Sequence, residues 1–442
     1  MFQKSHLESG SLSLALAMGL GLILIAPAAR AAGLPTTGPD VTINRITGVG
    51  NTYGAASGIR AYAVGTTSCN IGDTPVNWCN TSGGCGGGMT SKQHPVIAQG
   101  IYRLKTDVDR PSGRLEQIGM SWLKHGFLST NTGNSEGACK VGHDSCDSPP
   151  FGGDQLGVGC RDTYGSSLNG SRPLGMRSEV NATTGDFPYP YTSVGSSTVY
   201  DQRIQVLESD VEPTLNTGAR YWAEAQYIAD NDAKAGNGLN NASYQEVLVS
   251  GATYNLGLSG ALNREHSAIY AWQLIDPTVE IFNFDVPGAV IERFEVARKV
   301  TPIDGDTWHY EYAIRNLNSD RSARAFTVDF VDGTPVTNPG FKSTDHHSGE
   351  PYSTAAWDVA ATQATGTVTW GTSTYANDPN ANALRWATMF NFWFDADAAP
   401  STAVHTLELF KPGSPESVTL ASPIFVDGFA SNNLTAWSDA VP

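Results

Sequence analysis

Between Trp308 and Arg315, apolar and polar side chains largely take turns. Trp308, Tyr310, Tyr312 and Ile314 share one face of an extended chain, and His309, Glu311 and Arg315 share the other. Successive side chains of a strand point to opposite faces, so the pattern predicts a strand with one side in a core and one in water. Phe326, Val328 and Phe330 against Thr327 and Asp329 repeat it, as do Phe390, Phe392 and Phe394 against Asn391 and Trp393. Asn316 to Arg321, rich in Asn, Asp and Ser, predicts a hairpin connection between the first two strands. No window combines a cap, a 3.6-residue period and a C-terminal glycine over three turns, so helices are not expected to carry the fold. Short strands between Gly, Asn and Pro clusters predict an all-β chain of antiparallel β-sandwich architecture.

The N-terminus has a different pattern. Lys4 precedes an apolar run from Leu12 to Ile25, Pro27 breaks it, and Ala29-Arg30-Ala31 has the small-x-small form that signal peptidase cuts. Residues 1–31 are read as a signal peptide, since the run falls short of the ~20 apolar residues of a spanning helix. Two parts are expected after it. Residues 32–288 form a cysteine-containing β-rich domain, and residues 289–442 a β-sandwich with a C-terminal tail, the boundary lying near Pro287-Gly288.

Composition narrows the function classes. Formal net charge is −16, and losing Lys4, Arg30 and Glu8 with the leader would make it −17. So acidic a surface repels phosphate backbones and argues against nucleic-acid binding. Charged residues are 16% of the chain, below the ~25% of ordinary soluble domains, which leaves Ser, Thr, Asn and Gly to wet the surface.

All six cysteines fall between Cys69 and Cys160. In an exported protein an even number predicts disulfides. Short loops favour Cys79–Cys85 and Cys139–Cys146, leaving Cys69–Cys160 to close the segment. A bridge at Cys85 would order the run Gly83 to Gly88, where glycine makes ordering costly. Neither C-x-x-C nor C-x-x-H spacing occurs, which argues against a zinc cluster.

Asp345-His346-His347-Ser348-Gly349-Glu350 is the densest set of ligand side chains. In a loop, Asp345, His346, His347 and Glu350 could hold a divalent metal, the one cofactor chemistry the residues suggest. His94 and His125 are added as ligands that would converge on it from the first part, and His143 belongs to the same scattered set. Glu116, Glu179 and Glu265 sit in moderately apolar surroundings, but no spacing marks a carboxylate pair. Asp230-Asn231-Asp232 begins like a calcium loop, yet Lys234 and Asn241 fall where that motif needs oxygen ligands and a glutamate. No G-x-S-x-G elbow, P-loop or dinucleotide fingerprint occurs. Trp222, Trp357, Tyr189 and Tyr191 are candidate platforms for stacking on sugar rings, with Pro188 and Pro190 keeping the tyrosines out of a helix.

The segments Ala63–Gly72, Gln93–Ile97, Ser121–Phe127, Leu156–Cys160 and Tyr310–Arg321 together resemble a family of secreted bacterial β-rich proteins of no known activity. That resemblance implies export and a β-rich fold and brings no catalytic residues. Phe425 to Ser438 resembles a short tail, of the form DGFxSxNxxAW, that ends many exported bacterial proteins, although Ala430 and Asn432 stand where Glu and Gly are usual.

The reading is a protein secreted, or held at the cell surface or in the periplasm, with no transmembrane segment once the leader is gone. It acts as a non-enzymatic surface or matrix component binding a polysaccharide or a cell-surface protein. The alternative is a secreted enzyme, metal-assisted or carboxylate-dependent, acting on an extracellular polymer.

Overall fold

The computed structural model describes residues 32–50, 53–80, 84–133, 139–171, 174–193, 197–344 and 350–421. The leader and the C-terminal tail motif lie outside them. Antiparallel strands dominate, and the all-β, sandwich-like fold is the one expected.

The strands make four main sheets. The first joins Val41–Gly50, Ile59–Asn70 and Ile204–Leu207, with Arg161–Tyr164 paired to its central strand. The second runs from Leu174–Gly175 through Leu123–His125, Val96–Asp107, Arg220–Ile228 and Ala242–Ser250 to Asn255–Asn263, and Arg110–Met120 pairs with Val96–Asp107. The third orders Glu280–Val286, Glu292–Asp304, Thr307–Asn316, Met389–Ala396 and Val336–Lys342, and the fourth orders Asp358–Thr362, Thr367–Gly371, Ala323–Asp329, Val404–Leu409 and Ser417–Ala421.

Three cores separate them. Val64, Ile97, Ile101, Ala223 and Val247 fill the space between the first and second sheets. Tyr310, Tyr312, Phe326, Trp370, Phe392 and Phe394 fill that between the third and fourth, where Tyr310 stacks on Phe394 at 4.7 Å. Between the second and third sheets lie Tyr102, Trp222, Trp272, Ala313 and Met389.

That middle core overturns the expected wet face. Tyr310, Tyr312 and Ile314 do point into a core, but Glu311 and Arg315 on the other face are fully buried as well. They are covered by the second sheet and its neighbour strand. Arg114 grips Glu311 with two hydrogen bonds at 2.5 and 3.0 Å, and Arg315 reaches Glu224 at 2.6 Å. Charges at these depths persist because each has a hydrogen-bonded counter-charge. The connection Asn316 to Arg321 is also not a hairpin turn, since its flanking strands belong to the third and fourth sheets and do not pair.

The cysteine pairing differs from the nested scheme. Cys79 is bonded to Cys85, but Cys69 pairs with Cys139 and Cys146 with Cys160. Main-chain pairing decides this. Cys69 stands opposite Arg161 in the sheet, so Cys160 falls beside Asn70 rather than across from Cys69. A hydrogen bond from the Asp147 amide to the Val158 carbonyl then draws Cys146 to Cys160. The Cys69–Cys139 bridge spans 70 residues, a loop whose closure is worth about 4 kcal/mol in the chain-entropy treatment. Replacing both by serine is expected to lower the urea-unfolding free energy by about that much, and the pair Cys79 and Cys85, which spans 6 residues, by about 2 kcal/mol. Equal losses for the two pairs would contradict this ranking.

Candidate functional site

Two strands bring His94 and His125 together. Val96, where the strand Val96–Asp107 begins, pairs with His125 at the end of Leu123–His125. His94 lies two residues before that start, so its ring arrives beside His125 with 2.7 Å between His94 Nε2 and His125 Nδ1. His94 Nδ1 lies 2.5 Å from the Ser91 carbonyl. A carbonyl only accepts, so Nδ1 carries a proton and donates it there. His94 Nε2 is then the acceptor for His125 Nδ1–H. Both rings are neutral, because burial pushes His94 down to about 4 and His125 well below the usual imidazole range.

The pair is closed in by other rings. Tyr191 stacks on His125 with centroids 3.5 Å apart, and Phe187 meets His94 and His125 edge-on at 4.9 and 5.1 Å. Gly175 completes the packing. A Cβ there would lie 2.3 Å from His125 Nε2, so only glycine lets this chain approach. His125 Nε2 is buried without a hydrogen-bond partner among the described residues.

Of the proposed metal ligands, then, His94 and His125 do meet, as a hydrogen-bonded pair. A metal ~2.0–2.1 Å from both nitrogens at a tetrahedral angle would hold them about 3.3 Å apart, wider than the distance found. Asp345, His346 and His347 lie outside the described residues. Glu350 is described, and its carboxylate accepts the backbone amides of Arg177 and Ser178. Among the described residues no group of three or more His, Cys, Asp or Glu is placed to hold a metal ion. His143 approaches Asp147 at 3.4 Å. Glu116 is engaged by Arg103 at 2.7 Å.

The aromatic candidates divide. Trp222 and Trp357 are 1% and 3% exposed, so neither is a platform. Trp222 packs in the middle core, and Trp357 lies against Phe341 in the aromatic one. Alternating strands bury whatever large ring falls on the inward face, and sequence gave no sign of which rings those were. Tyr191 is half-buried on His125, whereas Tyr189 is 39% exposed. The Tyr189 hydroxyl faces Asn80 Oδ1 at 3.4 Å, and the Asn80 amide donates to the Gly126 carbonyl at 2.6 Å.

Two further apolar side chains continue this surface. Leu128 is 47% exposed and touches Gly153, and Phe151 is 43% exposed and lies across Gly86 and Gly87. A Cβ on Gly87 would come within 2.4 Å of the Phe151 ring and one on Gly86 within 2.6 Å, so glycine at these two positions lets that ring pack on the loop. The Cys79–Cys85 bridge and the Gly86 amide, which donates to Asp154 at 2.9 Å, hold the loop. These contacts string the exposed Tyr189, Leu128 and Phe151 along segments that meet the Cys79–Cys85 loop, Tyr189 through Asn80, Phe151 on Gly86 and Gly87, and Leu128 beside Gly153. Leu128 and Phe151 were missed from sequence, although the prolines and glycines of Pro149-Pro150-Phe151-Gly152-Gly153 disfavour a long helix or strand and so put an aromatic ring on a connecting segment, where a single 3-10 turn, Gly152–Asp154, follows it.

No protein-family model matches the chain, and no curated protein matches it. Among solved structures, the crystal structure of the N-terminal domain of a Streptococcus gordonii adhesin is similar at 10% identity and a TM-score of 0.17, over 81% of this chain and 62% of that one. The chain thus spans less than two thirds of that structure, and an overlap this weak carries no argument about function.

Proposed function

We propose that the protein is exported and works at or beyond the cell surface as a non-enzymatic binder of glycan. The observation that carries the reading is that the exposed rings of Tyr189 and Phe151 are both anchored to the loop closed by Cys79–Cys85, Tyr189 at Asn80 and Phe151 on Gly86 and Gly87. Rings held flat lose little entropy on binding and offer faces to the C–H side of a pyranose, while Asn80 and its neighbours supply hydroxyl partners. The leader-like N-terminus and three disulfides support an oxidising destination. No helix among the described residues is long and apolar enough to cross a membrane.

The test is retention on immobilised polysaccharides by the full mature chain. A Tyr189→Ala, Phe151→Ala double variant is expected to lose at least about tenfold in affinity, with an unchanged melting temperature. Undiminished retention by a folded double variant would sink the assignment. Release of new reducing ends from the polymer would move the protein to the enzymatic alternative.

A further inference from the structure

A second surface feature lies at one end of the fourth sheet, far along the chain from Tyr189 and Phe151. The strands Val404–Leu409 and Ser417–Ala421 are joined by a loop, and beside it opens a groove of about 510 Å3 lined by Arg321, Arg324, Tyr375, Phe410 and Glu416 among others. That volume falls within the ~300–1,000 Å3 usual for small-ligand pockets.

Tyr375 is 37% exposed, and its ring is braced edge-on against buried Phe410 at 5.3 Å. Phe410 is fixed in turn by the Arg385 guanidinium 4.6 Å from its centre. The groove therefore has one rigid aromatic wall open to solvent.

Arg321 supplies its charge. All its side-chain hydrogen bonds among the described residues go to main-chain carbonyls, those of Lys411 and Pro415. Its neighbours are already neutralised, Arg324 by Glu408 and Lys411 by Asp320. Gly413 packs its main chain against one side of the Arg321 guanidinium, since a Cβ there would lie 2.8 Å from its central carbon, so a ligand could reach the arginine only from the groove. Among the described residues no carboxylate pairs with the Arg321 guanidinium, in a chain with 43 acidic and 27 basic residues, which leaves its charge to pair with an anion in the groove. A planar guanidinium with free N–H groups suits a carboxylate, which it can grip with two parallel hydrogen bonds.

We propose that this groove binds an acidic saccharide, a uronate whose carboxylate pairs with Arg321 while its pyranose face lies on Tyr375. Glu416 lines the same groove, is exposed and makes no ion pair among the described residues, so it opposes this ligand and gives the assignment a test of sign. The site is separate from the Tyr189 and Phe151 rings and stands or falls independently of them.

Calorimetric titration of the full mature chain with trigalacturonate, its carboxyl-reduced neutral counterpart and a short polyglutamate tests the idea. Trigalacturonate is expected to bind at least about tenfold more tightly than either, and to weaken as salt is raised. Tyr375→Ala should lose about tenfold, and Glu416→Gln should gain a few-fold. Because Arg321 also ties down the loop carbonyls, Arg321→Lys is paired with a melting curve to separate lost binding from lost folding. Equal binding of the acidic and neutral sugars, tight polyglutamate binding indifferent to Tyr375→Ala, or no binding of trigalacturonate would each overturn the proposal.

Discussion

Replacing Arg315 with methionine is expected to cost about 3–5 kcal/mol of unfolding free energy, the loss found when a buried ion pair is broken from one side. Arg315 is fully buried. Its guanidinium donates to Glu224 at 2.6 Å and Gln226 at 2.8 Å, and lies 3.7 Å from Glu295. Those carboxylates hold further groups: Glu224 accepts from the Tyr102 hydroxyl and the Ala268 amide, and Glu295 from the Ser267 hydroxyl. Burial lifts the Glu295 carboxyl above its usual range, and the arginine is the main force holding it down. Methionine fills comparable volume but takes the main counter-charge from two buried carboxylates, leaving Glu295 only the weaker cationic pull of Arg293. Urea denaturation of Arg315→Met, of Glu224→Gln and of the double variant would measure this. The double variant should lose less than the two single losses combined, because each single variant strands the other's partner. A loss below about 1 kcal/mol, or strict additivity, would show that the network does not hold the middle layer.

Acid is expected to draw stability from the buried histidines as pH falls below ~6.5. Burial lowers His94 to about 4, His405 to about 3 and His125 well below the ordinary value. In the unfolded chain each titrates at ~6.5. A group whose folded pKa is depressed loses stability as pH falls below its unfolded value, because only the unfolded state takes up the proton. At about pH 4.5 the cost for His94 and for His405 is on the order of 2–3 kcal/mol each, with His125 adding to it.

Asp162 works the other way. Burial raises its carboxyl to about 6, so its contribution is full below the unfolded ~3.9 and disappears as pH rises through the folded value. It returns about 2 kcal/mol at pH 4.5, and Asp232, Glu295 and Glu350, whose carboxyls burial also raises, act in the same direction. His309, raised by Glu311 and Asp395 against the opposing effect of its burial, likewise favours the folded state below ~6.5. The histidine contribution should thus begin to fall between pH 7 and 6 and fall more steeply below. Melting temperatures across that range test it. His405→Gln, which removes the ring that Tyr312 bonds at 3.0 Å, should flatten the acid limb even if it lowers the plateau. An acid limb unchanged by His405→Gln would contradict the argument.

How much of this was legible in the sequence follows from the range of each interaction. Alternation along Trp308 to Arg315 and Phe390 to Phe394 is local, and it located the strands and their aromatic faces. What covers the opposite face is not local. Arg114 is 197 positions from Glu311, and Arg315 is 91 from Glu224. Read alone, Glu311 and Arg315 look like residues that belong in water, because nothing nearby names their partners. The cysteines erred for a related reason. Short loops favour Cys139 with Cys146, but strand register placed Cys160 where Cys146 could reach it. Tyr189 was readable as an exposed ring because prolines on both sides fix its backbone, whereas Trp222 and Trp357 sit in or beside sheets whose inward faces swallowed them. The approach of His94 to His125 was raised as a convergence and found as a hydrogen bond.

The charged seam between the second and third sheets also bears on how the molecule can be taken apart. A fragment starting at residue 289 would carry Glu311 and Arg315 stripped of Arg114 and Glu224, next to bare Ala313 and Met389. Its complement would present the reciprocal scar of orphaned ions and naked Tyr102 and Trp222. Neither half has a water-facing exterior on that side, so domain dissection would report on the wound rather than on the working protein.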